Sequence, residues 1–406
     1  MISDRPGRGI IQKRIHGRCA ASPALNLFQI ALLAVIVMAI TFAGPGCTRE
    51  PDCREAARLP DAEFAYGINY AWRVYGGDFG GILKWKQVGV AASYTRHLKN
   101  FQRIKRETGA KHIRWWLWPD LRGDGIRFEK SIAGPGTDSK APGQTLRPGR
   151  TLFDDLDAAL RLAHATDTRL ILCLFSFEAF APARRDGGLF VRNLEDVLRD
   201  AQTRESLMRN IIRPLSEFIA RHPHGDRVFA YDLINEPEWS LRGRSPHGDP
   251  GYTPLDSVRP VSHEFMQEFL IEMARELRAG SRATSRRAPL LTIGQASPEW
   301  RHAWRDVPID FDQWHLYRWM ESKPYYMRSP VELGFCRRPV VIGEMPLAGL
   351  HDERNHTEAV LALRSAGYAG AWTWSFLGRV PTGAKLNVMR PAARALANAA
   401  KDRSKN

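Results

Sequence analysis

Eight short apolar runs, spaced by amphipathic stretches, constrain this chain more than any other feature. They lie at 64–72 (FAYGINYAW), 112–119 (HIRWWLWP), 169–177 (RLILCLFSF), 228–236 (VFAYDLINE), 289–296 (PLLTIGQA), 311–319 (FDQWHLYRW), 339–346 (PVVIGEMP) and 370–377 (GAWTWSFL). Between them apolar residues recur at helical spacing: Leu152, Leu156, Ala159, Leu160 and Ala163 in 151–166; Leu207, Ile211, Leu215, Phe218 and Ile219 in 204–221; Phe265, Phe269, Met273 and Leu277 in 262–278. Short runs alternating with such stretches predict parallel strands joined by helices. Helical signal is weak after the fifth run, where PEWRHAW is short, and after the sixth, where 320–338 is broken by proline. Eight units with short links predict a closed (β/α)8 TIM barrel and not a doubly wound sheet. Such a barrel takes about 250 residues and can reach beyond ~400 with insertions. One barrel over 63–402 therefore fits a chain of 406 residues. Segments 120–150 and 239–261 follow the second and fourth runs and are rich in Gly, Pro, Arg and Asp. They are expected as long loops on the C-terminal face, where barrel active sites sit.

The N-terminus is of a different kind. Residues 1–23 are basic and polar, and 24–43 are apolar except for Asn26, Gln29 and Thr41. Then comes Gly-Pro-Gly-Cys47. A basic flank, an apolar core and small residues make an export signal, here about as long as the ~20 residues that span a bilayer. The Gly46–Cys47 junction resembles a bacterial lipoprotein signal with Cys47 as the lipidation site, although Gly44 stands where such signals usually carry Leu. Lipoprotein, uncleaved anchor and ordinary secretion stay open. All three place the rest of the chain outside the cytoplasm, and the first two attach it to a membrane. Residues 48–62 read as a tether.

The net charge is +15; residues 1–46 hold five basic residues against one acid, leaving about +11 for the remainder. That charge is scattered, with no dense basic block and no nucleic-acid-binding motif, so it reads as a solvated surface and not as a nucleic-acid site. Of the five cysteines none forms a C-x-x-C. Cys173 reads as a small core residue, and Cys53 and Cys336 are candidates for pairing in an oxidising compartment. No G-x-G-x-x-G, P-loop or G-x-S-x-G is present, and His351 and His356 match no ligand spacing, so no cofactor and no metal is expected.

Chemistry concentrates at two glutamates. Glu236 ends the fourth run in DLINEP, and Glu344 ends the seventh in VVIGEMP. Each follows a run in which an unpaired carboxylate would be costly to bury. On a closed barrel both arrive at one mouth. Two carboxyls there suit hydrolysis of a glycosidic bond with retention, in which one protonates the leaving oxygen and the other attacks the anomeric carbon.

This arrangement resembles the clan A glycoside hydrolases, most closely the cellulase/mannanase-like family 5, over roughly residues 64–380. The resemblance implies Glu236 as acid/base, preceded by Asn235, and Glu344 as nucleophile. It implies substrate-side roles for His315 and Tyr317 in WHLYRW, Arg114 in HIRWW and Trp374 in AWTWSF. Asn235 would bond the sugar 2-hydroxyl, Tyr317 and Arg114 would keep Glu344 ionised, and the nearby charge of Glu344 would raise the pKa of Glu236. Bland alternatives stand for Arg114 as a structural ion-pair partner, His315 as a core histidine and Trp374 as core. The third run departs from the family. Many members place histidines at its end, where Ser176, Phe177 and Glu178 stand here. Glu178 is either a sugar-binding acid or a loop carboxylate. Trp72, Trp116, Trp118, Trp239, Trp314 and Trp319 lie near expected strand ends, with two or three expected to line sugar subsites. The implied partner is a β-linked poly- or oligosaccharide. A transglycosylase on the same scaffold and a catalytically silent glycan-binding barrel are the alternatives.

Overall fold

The computed structural model describes residues 58–59, 63–130, 144–350, 354–377 and 385–403. Eight parallel strands close into a barrel: β1 (Ala65–Ala71), β2 (His112–Trp116), β3 (Arg169–Ser176), β4 (Val228–Asn235), β5 (Leu290–Gln295), β6 (Asp312–His315), β7 (Val340–Pro346) and β8 (Gly370–Trp374). Each pairs with its neighbours in chain order, and β8 closes on β1. All eight fall within the apolar runs of the sequence.

Helices cover most of the outside. They are α1 (Tyr94–Thr108), α2 (Leu152–Thr166), α3 (Leu194–Arg199), α4 (Ala201–Leu207), α5 (Arg213–Arg221), α6 (His263–Ser281), α7 (His356–Ser365) and α8 (Arg390–Arg403). A π-helical stretch, Met208–Ile212, joins α4 to α5, so the stripe from Leu207 to Ile219 runs on one continuous helical path. Gly109 ends α1 at a φ of 71°, the left-handed cap that glycine adopts without steric cost. Asn355 and Glu358 form a reciprocal capping box at the start of α7. After β5 and β6 only short 3-10 turns form, at Pro298–Trp300 and Arg318–Met320. The two long loops carry small sheets of their own, Ile126–Lys130 with Gln144–Pro148 and Leu241–Arg242 with Val261–Ser262.

Alternate side chains divide between two environments. Trp115 of β2 points outward and packs edge-on against Phe79 and Tyr70 and obliquely against Phe101 of α1. Ile171, Phe229, Phe311, Val341 and Trp372 point inward and seal the barrel floor. Burying each such side chain contributes about 1.5–3 kcal/mol. Leu59 joins that floor at 5% exposure, so this part of the expected tether is packed and not free. Cys336 is disulfide-bonded. The export segment, Cys47 and Cys53 lie outside the described residues.

Candidate active site

Both glutamates sit where strand regularity breaks. On β7, Ile342 and Glu344 pair with Trp314 and His315 of β6, while Ile342 and Met345 pair with Ala371 and Thr373 of β8. One extra residue on β7 is thus counted from both sides. Val341 and Gly343 already face inward, and strict alternation would turn Glu344 away; the bulge re-aims it into the mouth. Glycine is required beside it, because a Cβ on Gly343 would lie 2.5 Å from Gln313 Nε2 in the barrel interior. On β4, Asp232 and Asn235 pair with Thr292 and Gly294 of β5, again one residue in excess. Glu236 follows at a φ of 49°, with its N–H donating to the Gly294 carbonyl at 2.6 Å. A 3-10 turn, Pro237–Ser240, comes next. Buried Glu238 anchors it by accepting from the Ala296 N–H at 3.0 Å and the Trp304 indole at 2.6 Å.

These devices bring the two carboxyls together. One oxygen of Glu236, one of Glu344 and a ring nitrogen of His315 all lie within 4.8 Å of one another. His315 Nδ1 is 2.7 Å from Glu236 Oε1 and 3.8 Å from Glu344 Oε2. The Trp239 indole donates to Glu236 Oε2 at 3.1 Å. Arg114 donates to Glu344 Oε1 at 2.6 Å, and the Tyr317 hydroxyl donates to Glu344 Oε2. Fully buried Arg114 also bonds Asp232 at 2.8 Å, Asn69 at 3.0 Å and Asn235 at 2.8 Å. Among the described residues, Glu236, His315 and Glu344 also converge closely enough to hold a cation.

Burial raises the pKa of Glu236 to about 7, with Arg114 and the Trp239 hydrogen bond opposing it. The charge of Glu344 is therefore not what holds Glu236 protonated, as the sequence suggested; desolvation is. The Glu236 side chain still keeps 16% of its surface open to the cleft. Burial also raises Glu344; Arg114, the Tyr317 hydrogen bond and, when protonated, His315 pull it down. Of the two, Glu344 ionises first, because Arg114 lies directly on it and no cation lies directly on Glu236. Desolvation lowers His315 to about 4, so the ring is neutral near neutrality.

Asn235, Arg114, His315 and Tyr317 thus all stand in one hydrogen-bonded group with the two glutamates. Trp374 lies at the rim, half-buried, 6.0 Å from Trp72 and 5.9 Å from Trp116 between ring centroids. Trp239 and Trp319 face each other on the opposite rim at 6.4 Å. Trp118 and Trp314 are core, packed on Phe175 and Tyr368. Glu178 stands at the cleft beside Ser176, and burial lifts it to about 7. Buried His356 bonds the Tyr66 hydroxyl at 2.9 Å and belongs to the α7–barrel packing. Sequence reasoning missed Asn69, Asp232 and Glu238, which lie inside or next to apolar runs and carry no motif.

No known family profile matches the chain. A curated relative, a mannan endo-1,4-beta-mannosidase from Cryptopygus antarcticus, is 23% identical over 338 residues, covering 77% of this chain and 80% of the relative. The beta-1,4-D-mannanase structure from the same organism superposes with a TM-score of 0.58 at 18% identity, over 81% of this chain and 90% of that one. An endo-1,4-beta-mannanase from Eisenia fetida gives 0.58 at 20% identity, over 83% and 94%. At these identities the structures establish a shared fold. In fold the chain resembles these glycoside hydrolases, in keeping with the clan A, family 5 type that the sequence pattern implied.

Proposed function

We propose that this protein is a retaining β-glycoside hydrolase, with Glu344 as nucleophile, Glu236 as acid/base and β-1,4-mannan as the leading candidate substrate. The observation that carries this reading is the approach of the two carboxyls, with oxygens within 4.8 Å. Retaining enzymes keep them about 5–5.5 Å apart, whereas inverting enzymes leave about 6.5–9.5 Å for a water.

The groups divide the work. Arg114 and Tyr317 hold Glu344 ionised and aimed, and its carboxylate attacks the anomeric carbon as the glycosidic bond breaks. Glu236, protonated near neutrality, gives its proton to the departing oxygen. It then takes a proton from the incoming water, which displaces Glu344 and restores both groups. Asn235 turns an N–H toward the sugar 2-hydroxyl, a contact that strengthens as the oxocarbenium character develops. Trp374 offers an aromatic face for the ring at the reacting position. His315 and Trp239 hold the two oxygens of Glu236 in place.

The mannan assignment comes from the relatives, and the test reads it separately. Purified protein is given β-mannan, glucomannan, galactomannan and β-glucans, with products followed by mass and by proton NMR in the first minutes. Reducing ends whose first anomer is β, from mannan ahead of glucan, are expected. An α anomer first would remove retention, and no release from any β-glycan would remove the reading altogether.

A further inference from the structure

The sugar-facing amide of Asn235 is held by a chain of hydrogen bonds that continues into the end of β3, where this sequence departs from the family pattern. Arg114 NH2 donates to Asn235 Oδ1 at 2.8 Å. Asn235 Nδ2 donates to Ser176 Oγ at 3.2 Å. The Ser176 hydroxyl donates to Glu178, in the 3-10 turn Phe177–Phe180 that follows β3. Ser176 is fully buried and Asn235 almost so.

The polarity of this chain is set at both ends. Arginine has only donors, so the amide must turn its oxygen to Arg114 and its nitrogen to Ser176. Ser176 then accepts with its oxygen and has one proton left, and Glu178 is the acceptor placed to receive it. One N–H of Asn235 remains uncommitted for a ligand. Without Glu178 the Ser176 proton has no fixed direction. It can then turn toward Asn235 and compete with the amide N–H, in a buried place where an unmet polar group is costly.

The geometry points to Ser176 and Glu178 as a positioning pair for the proposed hydrolysis, fixing the Asn235 amide so that it donates to the sugar 2-hydroxyl. This inference rests on the retaining-hydrolase reading, and it assigns the β3 end a role in orienting a partner and not in touching the reacting atoms. The neighbourhood supports it. Glu178 feels Glu236 and Asp120 nearby, and burial raises it to about 7, yet even in its protonated form it keeps a lone pair for Ser176.

The test compares two aryl β-glycosides with the same activated phenol, one carrying the 2-hydroxyl and one 2-deoxy. Ser176→Ala and Glu178→Ala are each expected to lower kcat on the 2-hydroxy substrate roughly tenfold or more, with KM changed far less, because the contact matures in the transition state. On the 2-deoxy substrate the same variants should match the wild type. Glu178→Gln keeps an acceptor oxygen and should recover most of the loss. Equal losses on both substrates, or none on either, would overturn the pairing. Should the wild type cleave neither glycoside and release nothing from any β-glycan, the hydrolase reading itself is lost. The pairing is then read from urea unfolding of Ser176→Ala, Asn235→Ala and the double variant. Coupled, less-than-additive losses support it and additive ones overturn it.

Discussion

Arg114 is the residue on which the site converges, because one buried guanidinium serves Glu344, Asp232, Asn69 and Asn235 at once. Lysine has no planar fork, so Arg114→Lys leaves buried acceptors unmet and is expected to cost kcat/KM about 100-fold or more, in line with the loss of a partner from a buried pair. Protonation gives a second expectation. The proposed mechanism requires Glu236 protonated and Glu344 ionised. With Glu236 raised to about 7, kcat/KM should fall as pH rises above that value. The acid limb belongs to Glu344, and Tyr317→Phe removes a hydrogen bond that lowers it. That limb should therefore move to higher pH, narrowing the profile, while the basic limb stays; a shift of the basic limb alone would contradict the assignment. The two glutamates should also fail differently. Glu236→Ala should still be glycosylated by an activated aryl glycoside and be rescued by azide as a β-glycosyl azide. Glu344→Ala should lose hydrolysis of every substrate, with any azide product of α configuration. General acid–base catalysis alone typically contributes 10²–10⁴-fold, which sets the scale of the loss on an unactivated polysaccharide. That Glu236 and Glu344 meet at one mouth was legible in the sequence, because each stands at the end of an apolar run with a proline one or two residues on. Asp232 was not, since inside DLIN it looks like a strand interruption, and its meaning appears only when Arg114 arrives from β2.

At the scale of elements, the alternation that made eight strands readable is also what hid the geometry of the site. A period of two assigns Val341 and Gly343 to the interior and sends Glu344 outward, and only the bulge corrects it. No local composition marks that bulge apart from Gly343, whose reason is the side chain of Gln313 on neighbouring β6. Adding one methyl there is expected to destabilise by about 1–3 kcal/mol, as overpacking a filled interior does. Urea unfolding of Gly343→Ala would show it, and Gly343→Ala/Gln313→Ala should lose less than the two single losses combined; additive losses would mean that the clash is elsewhere. The turn after β4 is likewise tertiary in origin. Glu238 reads as a surface acid, yet it is buried and ties that turn to β5 through Ala296 and to Trp304. The weak helical signal after the fifth and sixth runs, in contrast, was informative, for only 3-10 turns form there.

At the scale of the molecule, we propose that the basic, apolar N-terminal segment is an export address for the closed barrel that follows it. If the address is a lipoprotein signal, Cys47→Ala should abolish lipid labelling and release the protein from membranes; membrane association without any label in the wild type would favour an uncleaved anchor, and a freely soluble wild type neither. The catalytic part presents its own whole-molecule feature, a mouth with aromatic rings on opposite rims. Trp72 follows β1 and Trp374 ends β8, while Trp239 and Trp319 follow β4 and β6, and Trp239 bonds Glu236. On the proposed reading, a glycan lying across both rims would be cut internally. Trp319 is 49% exposed, an unusual place for a large ring that serves only packing. If it carries a sugar remote from the cut, its removal should tell on long substrates alone. An aromatic contact is worth about 0.5–1.5 kcal/mol, so Trp319→Ala should weaken kcat/KM on polysaccharide about threefold to tenfold. On an aryl monoglycoside, which cannot reach that rim, the rate should be unchanged. A loss of the same size on both substrates would place Trp319 in the support of Trp239 and Glu236 instead. No loss on either would leave the rim without a platform on that side and favour cleavage from a chain end.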